Sequence, residues 1–189
     1  FYAGPPEVGE RVLAPLRSSG NPIMDSLRPR QYVDFQRAGT SQGAARTDLR
    51  TQFVPTLSDE VIDTLIEYLN QAPSTGATVF VSPRSGAETD PPSDATAYPH
   101  RDDAHRILIE SRWSDPENDE RHESWVQEFH EALRPYTTGE AAMNFLTVDE
   151  GDERTRAAYS QNHDRLSDIK QKWDPDNFFS MNQNVSPSD

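Results

Sequence analysis

The chain contains no cysteine in its 189 residues. Disulfides, thiolate metal sites and a cysteine nucleophile are thereby excluded. Lysine is scarce as well: Lys170 and Lys172 stand alone beside 16 arginines. No apolar run approaches the roughly 20 residues of a membrane-spanning helix. Neither G-x-G-x-x-G nor a P-loop signature occurs, so nothing here is shaped to cradle a pyrophosphate. The opening Phe1-Tyr2-Ala3-Gly4-Pro5-Pro6 lacks the charged and apolar stretches of a secretory leader, and a cytoplasmic location is expected. No initiating Met is present, which fits either a processed terminus or a chain beginning inside a larger protein. None of the five histidines sits at a ligand spacing, so no metal is expected.

What the chain has in excess is acid. Its 32 acidic residues outweigh 18 basic ones, for a formal charge of -14. Such a surface repels nucleic-acid phosphates and anionic lipid, so neither nucleic acid nor a membrane is an expected partner. Acid excess with little lysine suggests a halophilic source. A hydrophobic share of 33% and 15 prolines imply a lean core and long loops.

The apolar spacing predicts a helix over 6–18, with Val8, Val12, Leu13 and Leu16, stopped by Gly20-Asn21-Pro22. A polar, Pro-containing stretch covers 22–46, and a short extended segment is expected at about 50–54. Ser58 reads as an N-cap before Asp59 and Glu60, opening a helix with Val61, Ile62, Leu65, Ile66 and Leu69. Residues 77–82 have strand composition, and 96–112 read as one long strand or a bent pair. A helix with Trp125, Val126, Phe129 and Leu133 ends near 134. A strand is predicted at 142–148 and a long helix at 152–173, ended by Asp174-Pro175. Few strands separated by helices imply an α+β fold, with an antiparallel sheet covered by helices on one face.

The amides of the C-terminal region bear on chemistry. Asn144 lies among apolar neighbours, and Asn182, Gln183 and Asn184 follow Phe178-Phe179. Buried amides need both donors and acceptors, which either a bound ligand or nearby backbone could supply. The triplet Asn184-Val185-Ser186 also fits a glycosylation sequon, a pattern that arises often by chance.

Met143-Asn144-Phe145-Leu146, the Ala158-Tyr159 and Asn162-His163-Asp164-Arg165-Leu166 helix, and Asp174-Pro175-Asp176-Asn177-Phe178-Phe179-Ser180-Met181-Asn182-Gln183-Asn184 resemble the C-terminal end of berberine bridge enzyme-like FAD-linked oxidases. Gly4-Pro5, Ala14-Pro15-Leu16-Arg17, Gly20-Asn21-Pro22, Thr96-Ala97-Tyr98-Pro99-His100-Arg101 and the stretch from Trp113 to Trp125 with His122 extend the resemblance upstream. The resemblance implies a substrate-binding α+β region at 1–140 and a closing segment at 141–189, packed as one incomplete part of a two-domain flavoprotein. It implies FAD held mainly by an absent N-terminal domain, a small-molecule substrate, and flavin contacts from Asn144, Asn182 and Asn184. Family members with a tyrosine base carry it where this chain has Phe145, and a second tyrosine where it has Ala142, so that mechanism does not transfer. Tyr98 and His100 remain as candidate polar groups over the flavin. The expected function is the C-terminal part of an oxidoreductase, inactive alone and prone to self-association through an exposed domain interface. A free-standing acidic binding or dimerisation module is the alternative.

Overall fold

A computed structural model describes residues 2–38, 46–102, 105–147, 150–181 and 183–188. The chain divides into two compact units, Phe1–Gly43 and Ala44–Asp189, so the boundary expected at 140/141 falls inside the second. The first unit holds α1 (Pro6–Arg17) and α2 (Tyr32–Ala38). Pro6 opens α1, where a missing N–H costs nothing. Arg17 in its last turn pairs with Glu10 and Asp25 and donates to the Leu27 carbonyl, which folds the following loop back onto the helix.

The second unit runs β1 (Arg46–Val54), α3 (Asp59–Asn70), β2 (Thr78–Pro83), β3 (His105–Trp113), α4 (Asp119–Leu133), α5 (Gly151–Tyr159) and α6 (His163–Trp173). The fold is α+β, with a three-stranded antiparallel sheet in the order β1-β3-β2. Alternation along β3 decides its two faces. Ile107, Ile109, Ser111 and Trp113 are buried on one side, and side chains at i and i+2 share a face. That side meets α3 and α4, where Val54, Val61, Leu65, Ile107, Ile109, Val126 and Phe129 form the main core. Trp125 donates its indole N–H to the Tyr68 carbonyl (3.0 Å), and Tyr68 stacks on Phe129. Ser58 caps α3 by accepting from the Val61 N–H. Gly76 accepts from the Arg112 N–H, and a Cβ there would collide with the Arg112 carbonyl.

Three expected elements differ. The strand expected at 142–148 is instead a 3-10 turn, Met143–Phe145, among the described residues. Its amides bond within the turn, Phe145 N–H to Ala142 O and Leu146 N–H to Met143 O, and burial of Ala141, Leu146 and Ala158 anchors it. The long strand over 96–112 keeps only its second half, because Pro99 lacks an N–H and 96–102 bonds through side chains. The helix over 152–173 breaks at Ser160 (φ 45°), and the bend lets Asn162 donate to the carbonyls of Ser93 (2.7 Å) and Thr96 (3.0 Å).

His122, flagged in the sequence, is a packing residue beneath the sheet. Its Nδ1 meets Ser111 Oγ at 2.7 Å and its ring stacks on Trp113. Burial, then Arg121, pushes His122 below the ordinary 6.5, with Asp119 opposing; burial and Arg154 do the same to His130.

Two outcomes follow from this packing. Phe129 is wholly buried, so Phe129→Ala should cost about 3–5 kcal/mol in urea denaturation. The two histidines have depressed folded-state pKa values, so the unfolded chain takes up protons first. Their contribution is complete above 6.5 and is lost as pH falls below it. Urea midpoints should drop between pH 7.5 and 5.5, and less steeply when both histidines are replaced by glutamine.

Candidate functional site

The sheet face turned away from α3 and α4 carries Thr51 and Phe53 from β1, Phe80 and Ser82 from β2, and Arg106, Leu108 and Glu110 from β3. The register places Phe53 and Ser82 opposite Arg106. Two irregular segments meet at that end of the sheet.

The first segment is 84–102. The Arg84 guanidinium lies 5.1 Å from the Phe53 ring and 5.0 Å from the Tyr98 ring. It also pairs with Glu88 and donates to the His100 carbonyl. Arg101 covers Tyr98 at 5.0 Å. His100, one of the residues singled out in the sequence, is a packed side chain. It is only 2% exposed, off any strand, and stacked on Phe53 at 4.6 Å. Its Nδ1 faces Glu140 Oε2 at 3.1 Å and its Nε2 faces the Ala158 carbonyl at 3.0 Å. Both partners are acceptors, so an imidazolium donating from each nitrogen fits this cage. A ring so engaged is poorly placed to accept a substrate proton. Tyr98 is half-buried; burial raises its pKa, while Arg84 and Arg106 pull the other way. Near neutral pH its hydroxyl is protonated and able to donate.

The second segment is the 143–146 turn with the C-terminal tail. Phe145 lies under Arg106, its ring centre 4.9 Å from the guanidinium. Asn144 is exposed on this turn rather than buried in a strand, and its side chain makes no hydrogen bond among the described residues. The tail returns along α6. Ser167 donates to the Ser186 carbonyl at 2.6 Å, Lys170 to the Phe179 carbonyl at 2.6 Å, and Gln183 to the Leu146 carbonyl at 2.8 Å. The Gln183 bond fastens the tail two residues from Asn144. Asn182 lies outside the described residues. Asn184 is half-buried in an open hollow of about 390 Å³ with Tyr159, Ile169 and Trp173.

The structure thus brings Tyr98 and the Asn144 turn to one end of the same face, bridged by Arg106. Sequence reasoning passed over Arg106 and Arg84. The available signal was the alternation Arg106-Ile107-Leu108-Ile109-Glu110, which sets Arg106 opposite the core.

With this geometry in place, comparison with known proteins gives concordant results. Residues 142–186 match the family model described as berberine and berberine like. The chain is thus similar to berberine bridge enzyme-like proteins, most directly over this C-terminal stretch. It is 24% identical over 190 residues to the uncharacterised FAD-linked oxidoreductase YgaK of Bacillus subtilis (strain 168), covering 98% of this chain and 42% of that protein. It is 34% identical over 112 residues to berberine bridge enzyme-like 3 of Arabidopsis thaliana, covering 51% of this chain and 21% of that one. Berberine bridge enzyme-like 1 of Physcomitrella patens superposes with a TM-score of 0.70 at 24% identity, over 82% of this chain and 33% of its own. Berberine bridge enzyme of Eschscholzia californica gives 0.72 at 18% identity, over 79% and 34%. These two structures support the shared fold. The chain therefore spans well under half the length of each of these relatives.

His100 joins β1, the 140 region and the end of α5. His100→Asn should cost about 2–4 kcal/mol of stability in urea, because it removes a ring stack and leaves buried acceptors unpaired.

Proposed function

We propose that this chain forms the substrate-side wall and closing tail of an FAD-dependent oxidoreductase that acts on a small organic substrate. The carrying observation is the exposed, unbonded Asn144 amide, set beside a tail fastened through Gln183 to Leu146. The residues present fit one side of a flavin. Asn144 offers both a donor and an acceptor, and Phe145 offers the ring face that Arg106 leaves open. Residues that would hold FAD from this side are Asn144, Asn182 and Asn184. The chain has no phosphate-cradling signature, so the pyrophosphate would be held by residues outside it. When bound, FAD supplies a two-electron acceptor for hydride from the substrate, with oxygen or another acceptor restoring it.

The chain's own residues bind, orient and exclude water. Phe145 cannot take a proton, and His100 is engaged on both ring nitrogens. The substrate must therefore lose hydride without a strong base from this wall, or meet a base from outside the chain. Tyr98 serves as a donor that orients a substrate oxygen or nitrogen. Exposed Trp173, Phe178, Phe179 and Met181, each at least 75% accessible, form an apolar surface at the tail suited to a second domain or to self-association.

The test compares absorbance spectra of the full-length gene product and of this chain, both purified in high salt. Flavin bands are expected in the longer protein only, and Asn144→Ala should weaken flavin retention about 10-fold or more. A colourless full-length protein that stays so after FAD is added would remove the oxidase reading in favour of a non-catalytic binding module. Tight FAD binding by this chain alone would overturn the split site.

A further inference from the structure

Arg106 has no acid. The chain carries 32 acidic residues, and the other arginines of the sheet and its exit each hold one: Arg46 with Asp119, Arg50 with Asp48, Arg84 with Glu88, and Arg112 with Glu110. Arg106 makes no ion pair and no hydrogen bond among the described residues, and its Nε is buried without a partner. The buried Nε–H therefore forfeits both solvent and protein acceptors. Its stem is locked by β3, the central strand, and its plane rests on Phe145. Ser82 stands opposite on β2, half-buried and also without a side-chain hydrogen bond among the described residues. The free donors are therefore one guanidinium edge and one hydroxyl, beside apolar Leu108 and Phe80, the latter 52% exposed.

We propose that Arg106, assisted by Ser82, is the anion-binding residue of this wall, and that it selects an organic carboxylic acid with an apolar body lying along Phe80, Leu108 and Phe145. A guanidinium edge presents two coplanar N–H groups that match a carboxylate. A single arginine with one hydroxyl balances one negative charge, not the two of a phosphate monoester. The overall charge of -14 would repel an anion at long range, so the site acts at contact and not by steering. Identifying the bound acid as the substrate rests on the oxidoreductase reading; the anion site itself does not.

The experiment is an NMR titration of this chain with benzoate and, separately, its uncharged analogue benzamide, following the Arg106 Nε–H signal. That signal is assigned by its loss in Arg106→Lys, with the remaining spectrum reporting that the fold is intact. Benzoate should bind at least about 10-fold more tightly than benzamide. Arg106→Gln should abolish that preference with a 10- to 100-fold loss for benzoate, and Arg106→Lys should keep part of it. Equal affinity of the two probes, or unchanged benzoate affinity in Arg106→Gln, overturns the proposal whatever the flavin spectrum shows. A colourless full-length protein with the benzoate preference intact would remove the oxidase reading and leave the anion site standing.

Discussion

Pairing on both edges of β3 is the constraint from which the rest of the second unit follows. A strand bonded on each side cannot rotate, so its period-two alternation assigns every side chain to a face. Ile107 and Ile109 go to α3 and α4 and supply the apolar burial. Arg106, Leu108 and Glu110 go to the other face by the same necessity. The polar chemistry of the site is therefore a consequence of core formation: a one-residue slip would bury Arg106 and expose Ile107.

Around that fixed strand, irregular backbone is held by side chains in place of ladder bonds. Arg84 is sandwiched by two aromatic rings, and His100 bridges Phe53, Glu140 and the end of α5. Asn162 clasps the 93–96 loop from the break in the last helices. Each of these groups is buried or half-buried and engaged, so the residues that shape the wall are unsuited to proton transfer. What stands without a hydrogen-bond or ion-pair partner among the described residues is an amide, Asn144, and a cation, Arg106. The division suits a surface that binds and orients, with the redox step proposed to belong to a cofactor held mostly elsewhere.

Strong local signals were legible from residues alone. The Ser58 cap and the Val61-Leu65 stripe set α3, and Trp125-Val126-Phe129-Leu133 set α4. Signals that depend on distant partners were not. Ala142–Val148 has strand-like composition, yet no described strand pairs with it, and turn bonds took its amides. The 152–173 periodicity continued through Ser160, and only the fit of Asn162 against a loop some 66 residues away justified the break. The burial of His100 was not legible either, because nothing local shows that Phe53 lies beneath it.

The sequence by itself determined the α+β class, the helices of strong amphipathic spacing, the acidic surface and the absence of a phosphate loop. These depend on composition and short-range periodicity, which act whatever the rest of the chain does. Only the tertiary structure decided that Asn144 is exposed on a turn, that Gln183 draws the tail to it, and that Arg106 has no acid among the described residues. Those facts depend on which surfaces meet across long stretches of chain, where packing and hydrogen-bond satisfaction override local preference.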